Sequence, residues 1–147
     1  MSVAYDEDYY TWTQEQARFL EQGRIDLLDF AHLADEISDM GRSQVDQFAA
    51  RLGLVVAHLL KLMVQTERSE ANEKSWITTI TEQRRRLRRL LDRNPGLKNP
   101  AIAEEVLLDG WGDGLILALR ETGIDRDRFP QDCPFTLDQL LDDESWP

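Results

Sequence analysis

Apolar positions along this chain recur at steps of three and four residues, and no stretch alternates with period two. That pattern predicts helices throughout. Over residues 8–22, Tyr9, Trp12, Phe19 and Leu20 are spaced for one helical face. Asp6, Glu7 and Asp8 place acids at its start, where they suit the helix dipole, and Gly23 follows its end. The next run, "DLLDFAHLADEISDMG", spaces Leu27, Phe30, Leu33, Ala34 and Ile37 as an amphipathic second helix, with Gly41 ending or kinking it.

The third segment, about residues 42–67, is the centre of the pattern. Val45, Leu52 and Leu59 form one column of side chains, Phe48, Val55 and Leu62 a second, and Ala49, Val56 and Met63 a third. Between Leu52 and Val64 only His58 and Lys61 are polar. A helix apolar on nearly every side is covered on several sides, so this segment reads as the central helix of a bundle. A fourth helix follows over residues 73–93, stopped by "NPGLKNP", and a fifth over residues 101–122, with Pro100 at its start and Gly123 beyond its end. The insert "DGWGDG" at 109–114 implies close helix packing or a local break. Thr136 is a natural N-cap for a short last helix ending at Leu141. The expected fold is all-α: one domain over residues 1–147, about five helices around a buried central helix, plus a short C-terminal helix.

A chain of 147 residues is long enough to bury a core without disulfides or a structural metal. Cys133 is its one cysteine, which leaves no intrachain disulfide. The acidic start lacks the basic and apolar regions of a signal peptide, and the uncharged run "LGLVVAHLL" is far shorter than the roughly 18 residues of a membrane span. The expectation is a cytoplasmic protein with no membrane partner.

Charge refines this picture. The net −11 divides into −8 over residues 1–47, +3 over residues 48–120 and −6 over residues 121–147. Six arginines fall between positions 84 and 93, yet at 100° per residue Arg85, Arg86, Arg88, Arg89 and Arg93 spread around the polar side of the fourth helix. Glu82 stands at helical spacing from Arg85 and Arg86. The favoured reading is a solvated, internally paired face, with no nucleic acid as partner.

Arg84 is different, because it lies inside the apolar arc of Trp76, Ile80, Leu87, Leu90 and Leu91. A guanidinium facing a core needs a partner. The pair Asp35 and Glu36 is the expected source, since Glu36 neighbours Ile37 and Leu33 on the apolar side of the second helix. His58 and Lys61, within the nearly apolar third helix, are the other candidates for buried polar groups. Together Asp35, Glu36, His58, Lys61 and Arg84 form either an ion network that fixes helix register or a pocket for an anion. In the second reading Glu36, His58 and Arg84 are the candidate catalytic groups, with His58 the proton carrier.

Five stretches also carry a resemblance: "YDEDYYTW" at 5–12, "HLADEISDMG" at 32–41, "HLLKL" at 58–62, "SWITTITEQR" at 75–84 and "FPQDCPFTLDQLLDDESWP" at 129–147. In that order, over essentially the whole chain, they resemble the bacterial domain-of-unknown-function family twenty-nine. The resemblance implies a small helical protein without an established activity. The family's acidic pair falls on Asp35 and Glu36, its His-Leu-Leu-Lys on His58 to Lys61, and its Trp and Arg on Trp76 and Arg84. The "DGWGDG" insert departs from the family pattern and bears on the straightness of the fifth helix.

Other chemistry is thinly represented. Gly110, Gly112 and Gly114 follow no strand and precede no Walker lysine, so they are not a phosphate loop. His32, His58 and Cys133 lack zinc spacing, a carboxylate site including Glu36 and His58 is the weaker metal reading, and no cofactor is implied. No GxSxG is present. Two functions stay open. The favoured one is a helical protein-interaction module whose buried ions serve structure. The alternative is a small-ligand binder or enzyme using the Glu36–His58–Lys61–Arg84 region. The aromatic start, with Tyr5, Tyr9, Tyr10 and Trp12, points either to a homodimer interface on the N-terminal helix or to rings packed inside the monomer, the favoured reading for Tyr9 and Trp12. An unidentified protein partner is the other open expectation.

Overall fold

The computed structural model describes residues 3–147 and is all-helical, with no strand among the described residues. Five α-helices follow in order: α1 (Tyr9–Glu21), α2 (Phe30–Val64), α3 (Glu70–Arg93), α4 (Pro100–Thr122) and α5 (Leu137–Leu141). Contacts group the chain into two compact units, one ending at Ser43 and one spanning Gln44–Pro147. The second and third expected helices are a single helix of 35 residues, α2, which passes through Gly41 without interruption. Glycine lowers helix propensity by only about 1 kcal/mol, which the long apolar continuation readily offsets.

In the first unit, the Asp8 carboxylate caps α1 by accepting the Thr11 N–H at 3.0 Å. Gly23, at φ 67°, supplies the left-handed residue that ends it. Trp12, Gln16 and Phe19 are the buried side chains of this helix. A short 3₁₀ turn (Ile25–Leu27) leads to Asp29, whose carboxylate receives the His32 N–H at 3.3 Å and opens α2.

The second unit holds the main core. Phe48, Leu52, Val55, Val56 and Leu59 of the three predicted columns are buried, as is Leu60 beside them, whereas Met63 at the end of the third column is 39% exposed. Ile80, Leu87, Leu90 and Leu91 of α3, Val106 and Ala118 of α4, Phe129 and Leu140 complete it. Each fully buried large apolar side chain contributes about 1.5–3 kcal/mol by leaving water. By length and composition alone, α2 could cross a membrane, but 56% of its apolar window is buried within the fold.

The glycine insert turns out to be a packing device, and α4 runs through it unbroken. A Cβ on Gly114 would lie 2.6 Å from Val56 Cγ1 and 2.8 Å from the Gly53 carbonyl oxygen, and one on Gly110 would lie 2.9 Å from Leu52 Cβ. The missing side chains let α4 approach the α2 backbone at Gly53. Gly112 faces open space and has no part in the contact. At the C-terminal end, Thr136 and Gln139 form a reciprocal capping box for α5.

Candidate functional site

Arg84 is fully buried, as its place in the apolar arc of α3 demands, but its partner is not a carboxylate of the second expected helix. Its Nε donates to the Leu140 carbonyl at 2.9 Å, and Nη2 donates to the carbonyls of Gln139 at 3.0 Å and Ser145 at 2.8 Å. The Trp146 ring lies over the guanidinium, 5.0 Å from Cζ to ring centre. Asp35 and Glu36 therefore do not fill the role expected of them. The fork satisfies backbone oxygens that α5 and the following turn leave without a helical donor. Burial pulls the Arg84 pKa down, opposed by the charges of Asp143 and Asp142. Its role is to fasten the C-terminal segment.

Lys61 and His58 form a second group with a residue that periodicity did not single out. Lys61 is buried, its Nζ pairs with the Glu121 carboxylate, and it lies over the Trp76 ring at 5.6 Å. His58 Nδ1 contacts the Leu54 carbonyl oxygen at 2.8 Å. Burial pushes the His58 pKa down, and the nearby Lys61 charge adds to the effect. A neutral imidazole turned onto its own helix carbonyl, beside a neutralised lysine, makes a packed polar group.

Glu36 belongs to a third arrangement, entirely within the first unit. Its carboxylate accepts the Tyr5 phenol on one oxygen and the Tyr9 phenol, at 2.7 Å, on the other. Those donors hold the Glu36 carboxyl below its ordinary range, and the hydrogen bond to Glu36 in turn pushes the Tyr5 phenol up to about 12. Tyr5 also stacks on His32, with ring centres 4.1 Å apart at 11°. His32 Nδ1 and Trp12 Nε1 both reach Asp29 Oδ2, at 2.7 Å and 3.0 Å. Glu36 and Asp29 thus anchor the aromatic start onto the first turns of α2. Asp35 is exposed.

The apolar stripe of those same turns is uncovered. Phe30, Ile37 and Met40 are 62%, 66% and 67% exposed, with half-buried Leu33 between them. At 100° per residue these four fall within an arc of about 80°. Ile25 and Leu27, just before the helix, are exposed too. The sequence shows that this face is apolar. Nothing in its periodicity says what covers it. The stretch carries a heavy acidic surplus, since residues 1–43 contain ten acids and three bases.

Sequence reasoning missed Asp29, His32 and Glu121, and it gave Gln139 and Ser145 no role. The spacing Asp29–His32 is the one signal that was legible, as a capping residue three positions before a histidine. The family model described as Domain of unknown function DUF29 matches residues 4–146. No curated protein and no solved structure matches the chain.

Proposed function

The chain belongs to the DUF29 family, and we propose that it works as a protein-interaction module whose docking face is the uncovered stripe of α2. The observation that carries this reading is the exposure of Phe30, Ile37 and Met40 on one side of a helix. Exposed apolar side chains gathered in one strip mark interaction sites, whereas single ones scattered over a surface do not. The Lys61 and Glu36 clusters have their partners within the chain. Arg84 spends its Nε and Nη2 on backbone carbonyls, while its buried Nη1 has no hydrogen-bond partner among the described residues. These contacts support a structural role for each.

Charge selects the occupant. The first unit carries ten acids against three bases over residues 1–43, a net −7. A basic amphipathic helix would set apolar residues on Phe30, Ile37 and Met40 and its cations against these acids. A second copy of the same face would bring −7 against −7, which makes a homodimer the less favoured occupant. A titration with a synthetic amphipathic lysine–leucine helix tests this. Docking predicts that Ile37→Glu weakens binding, although the variant is more acidic. Binding that holds or strengthens in Ile37→Glu reports bulk charge attraction alone and contradicts the reading. Sedimentation equilibrium of the free protein at a mass well above 17.0 kDa would assign the strip to a second copy.

A further inference from the structure

The arginine run of α3, dispersed when read on a single helix, gathers once α2 is placed beside it. Arg85, Arg86, Arg89 and Arg93 of α3 and Arg51 of α2 line one cleft of about 430 Å³. Gln44, Gln47 and Asn94 add carboxamides, and no lining residue is acidic. The cleft is tied at two levels: Arg51 Nη1 donates to Gln83 Oε1 at 3.1 Å, and Asn94 Nδ2 approaches Gln44 Oε1 at 3.5 Å. We propose that this cleft is a binding site for a small, multiply charged anion of the class that carries two or more phosphate groups.

Three observations carry it. First, a chain with 28 acids and 17 bases places five guanidiniums around one concavity and admits no carboxylate to it. Glu82, a neighbouring acid, is shared by Arg85 at 2.8 Å and Arg86 at 2.8 Å, so it neutralises at most one of the two. Like charges brought together without neutralisation repel, and an anion relieves that repulsion.

Second, the groups suit phosphate. A guanidinium presents a planar fork that matches phosphate oxygens two at a time, and carboxamides add neutral donors. Five forks exceed what one phosphate group can accept, which points to two or more.

Third, the size suits a small ligand. The volume lies within the range of about 300–1,000 Å³ typical of small-molecule sites. The net −11 of the chain opposes a long polyanion lying across its surface. It opposes a local anion far less, because charges beyond about 8 Å are largely screened at physiological salt.

Calorimetric titration of the intact protein with inorganic pyrophosphate, at about 150 mM salt, tests the site. Saturable one-to-one binding is expected, at least about tenfold tighter than inorganic orthophosphate under the same conditions. The double variant Arg51→Gln/Arg89→Gln should lose about tenfold or more, with its thermal midpoint unchanged. Arg88→Gln, whose side chain pairs with Asp143 at 2.8 Å and does not line the cleft, should bind as the parent does. Three results would overturn the proposal: no saturable binding of pyrophosphate, an equal loss in Arg88→Gln, or a single-stranded oligonucleotide bound more tightly than pyrophosphate, which would assign the arginines to nucleic acid.

Discussion

The Trp146 ring, one residue from the end of the described chain, covers the guanidinium of Arg84 at 5.0 Å. A fully buried cation from the middle of α3 thereby holds the carbonyls of Gln139, Leu140 and Ser145. Removing it leaves those oxygens without their donor and opens a void beneath the indole. Arg84→Ala should cost about 2–4 kcal/mol in urea denaturation. Arg84→Lys, which keeps the charge but not the fork, should lose more than half as much. In both variants the C-terminal segment should be cut faster by protease than in the parent. A loss below about 1 kcal/mol for Arg84→Ala would contradict the assigned role.

The glycines of α4 give opposite signs within four residues. Gly114→Ala places a Cβ 2.6 Å from Val56 Cγ1, so α4 must move away from α2. The expected loss is about 1–3 kcal/mol. Gly112→Ala meets open space in a helix interior and should gain about 0.5–1 kcal/mol. Thermal denaturation of the two variants side by side checks both signs, and equal shifts would contradict the packing described.

The N-terminal tie depends on pH at both ends. Glu36 has a folded pKa below its ordinary 4.5, set first by the Tyr5 phenol and then by Tyr9. A depressed carboxyl contributes stability that is complete above the unfolded value and lost as pH falls through the folded one. Tyr5 moves the other way, from 10.0 to about 12, because its hydrogen bond to Glu36 favours the neutral phenol. Its contribution is present below the unfolded value and lost as pH rises through the folded one. The tie is therefore complete between about pH 5 and 10. Tyrosinate absorbance should show Tyr5 titrating late, and Glu36→Gln should bring that titration back toward the ordinary value. An unchanged titration in Glu36→Gln would rule out the hydrogen bond as the cause.

The fold was largely legible in the sequence, since the columns on Val45, Phe48 and Ala49 locate the buried side of α2 and the arc from Ile80 to Leu91 locates that of α3. Arg84 was correctly placed in the core by the same arithmetic. Its partner was not legible, because backbone carbonyls of an irregular tail leave no mark in side-chain periodicity. The stripe through Phe30 and Ile37 was visible as an apolar face, but a helical pattern records the face and not its neighbour. The arginine cleft failed for a related reason. Reading α3 alone spreads its cations, and only Arg51, 33 positions before Arg84 on another helix, closes the ring.

The most direct measurement uses the methionine methyl groups as reporters. Met40 lies on the proposed docking strip and is 67% exposed, whereas Met63 is 39% exposed in the second unit. Adding the amphipathic lysine–leucine helix to methyl-labelled protein should shift the Met40 resonance saturably and leave Met63 unmoved. The same shift should vanish in Ile37→Glu. A Met40 resonance that stays in place at saturating peptide, or one that moves no more than Met63, would contradict the docking face on α2.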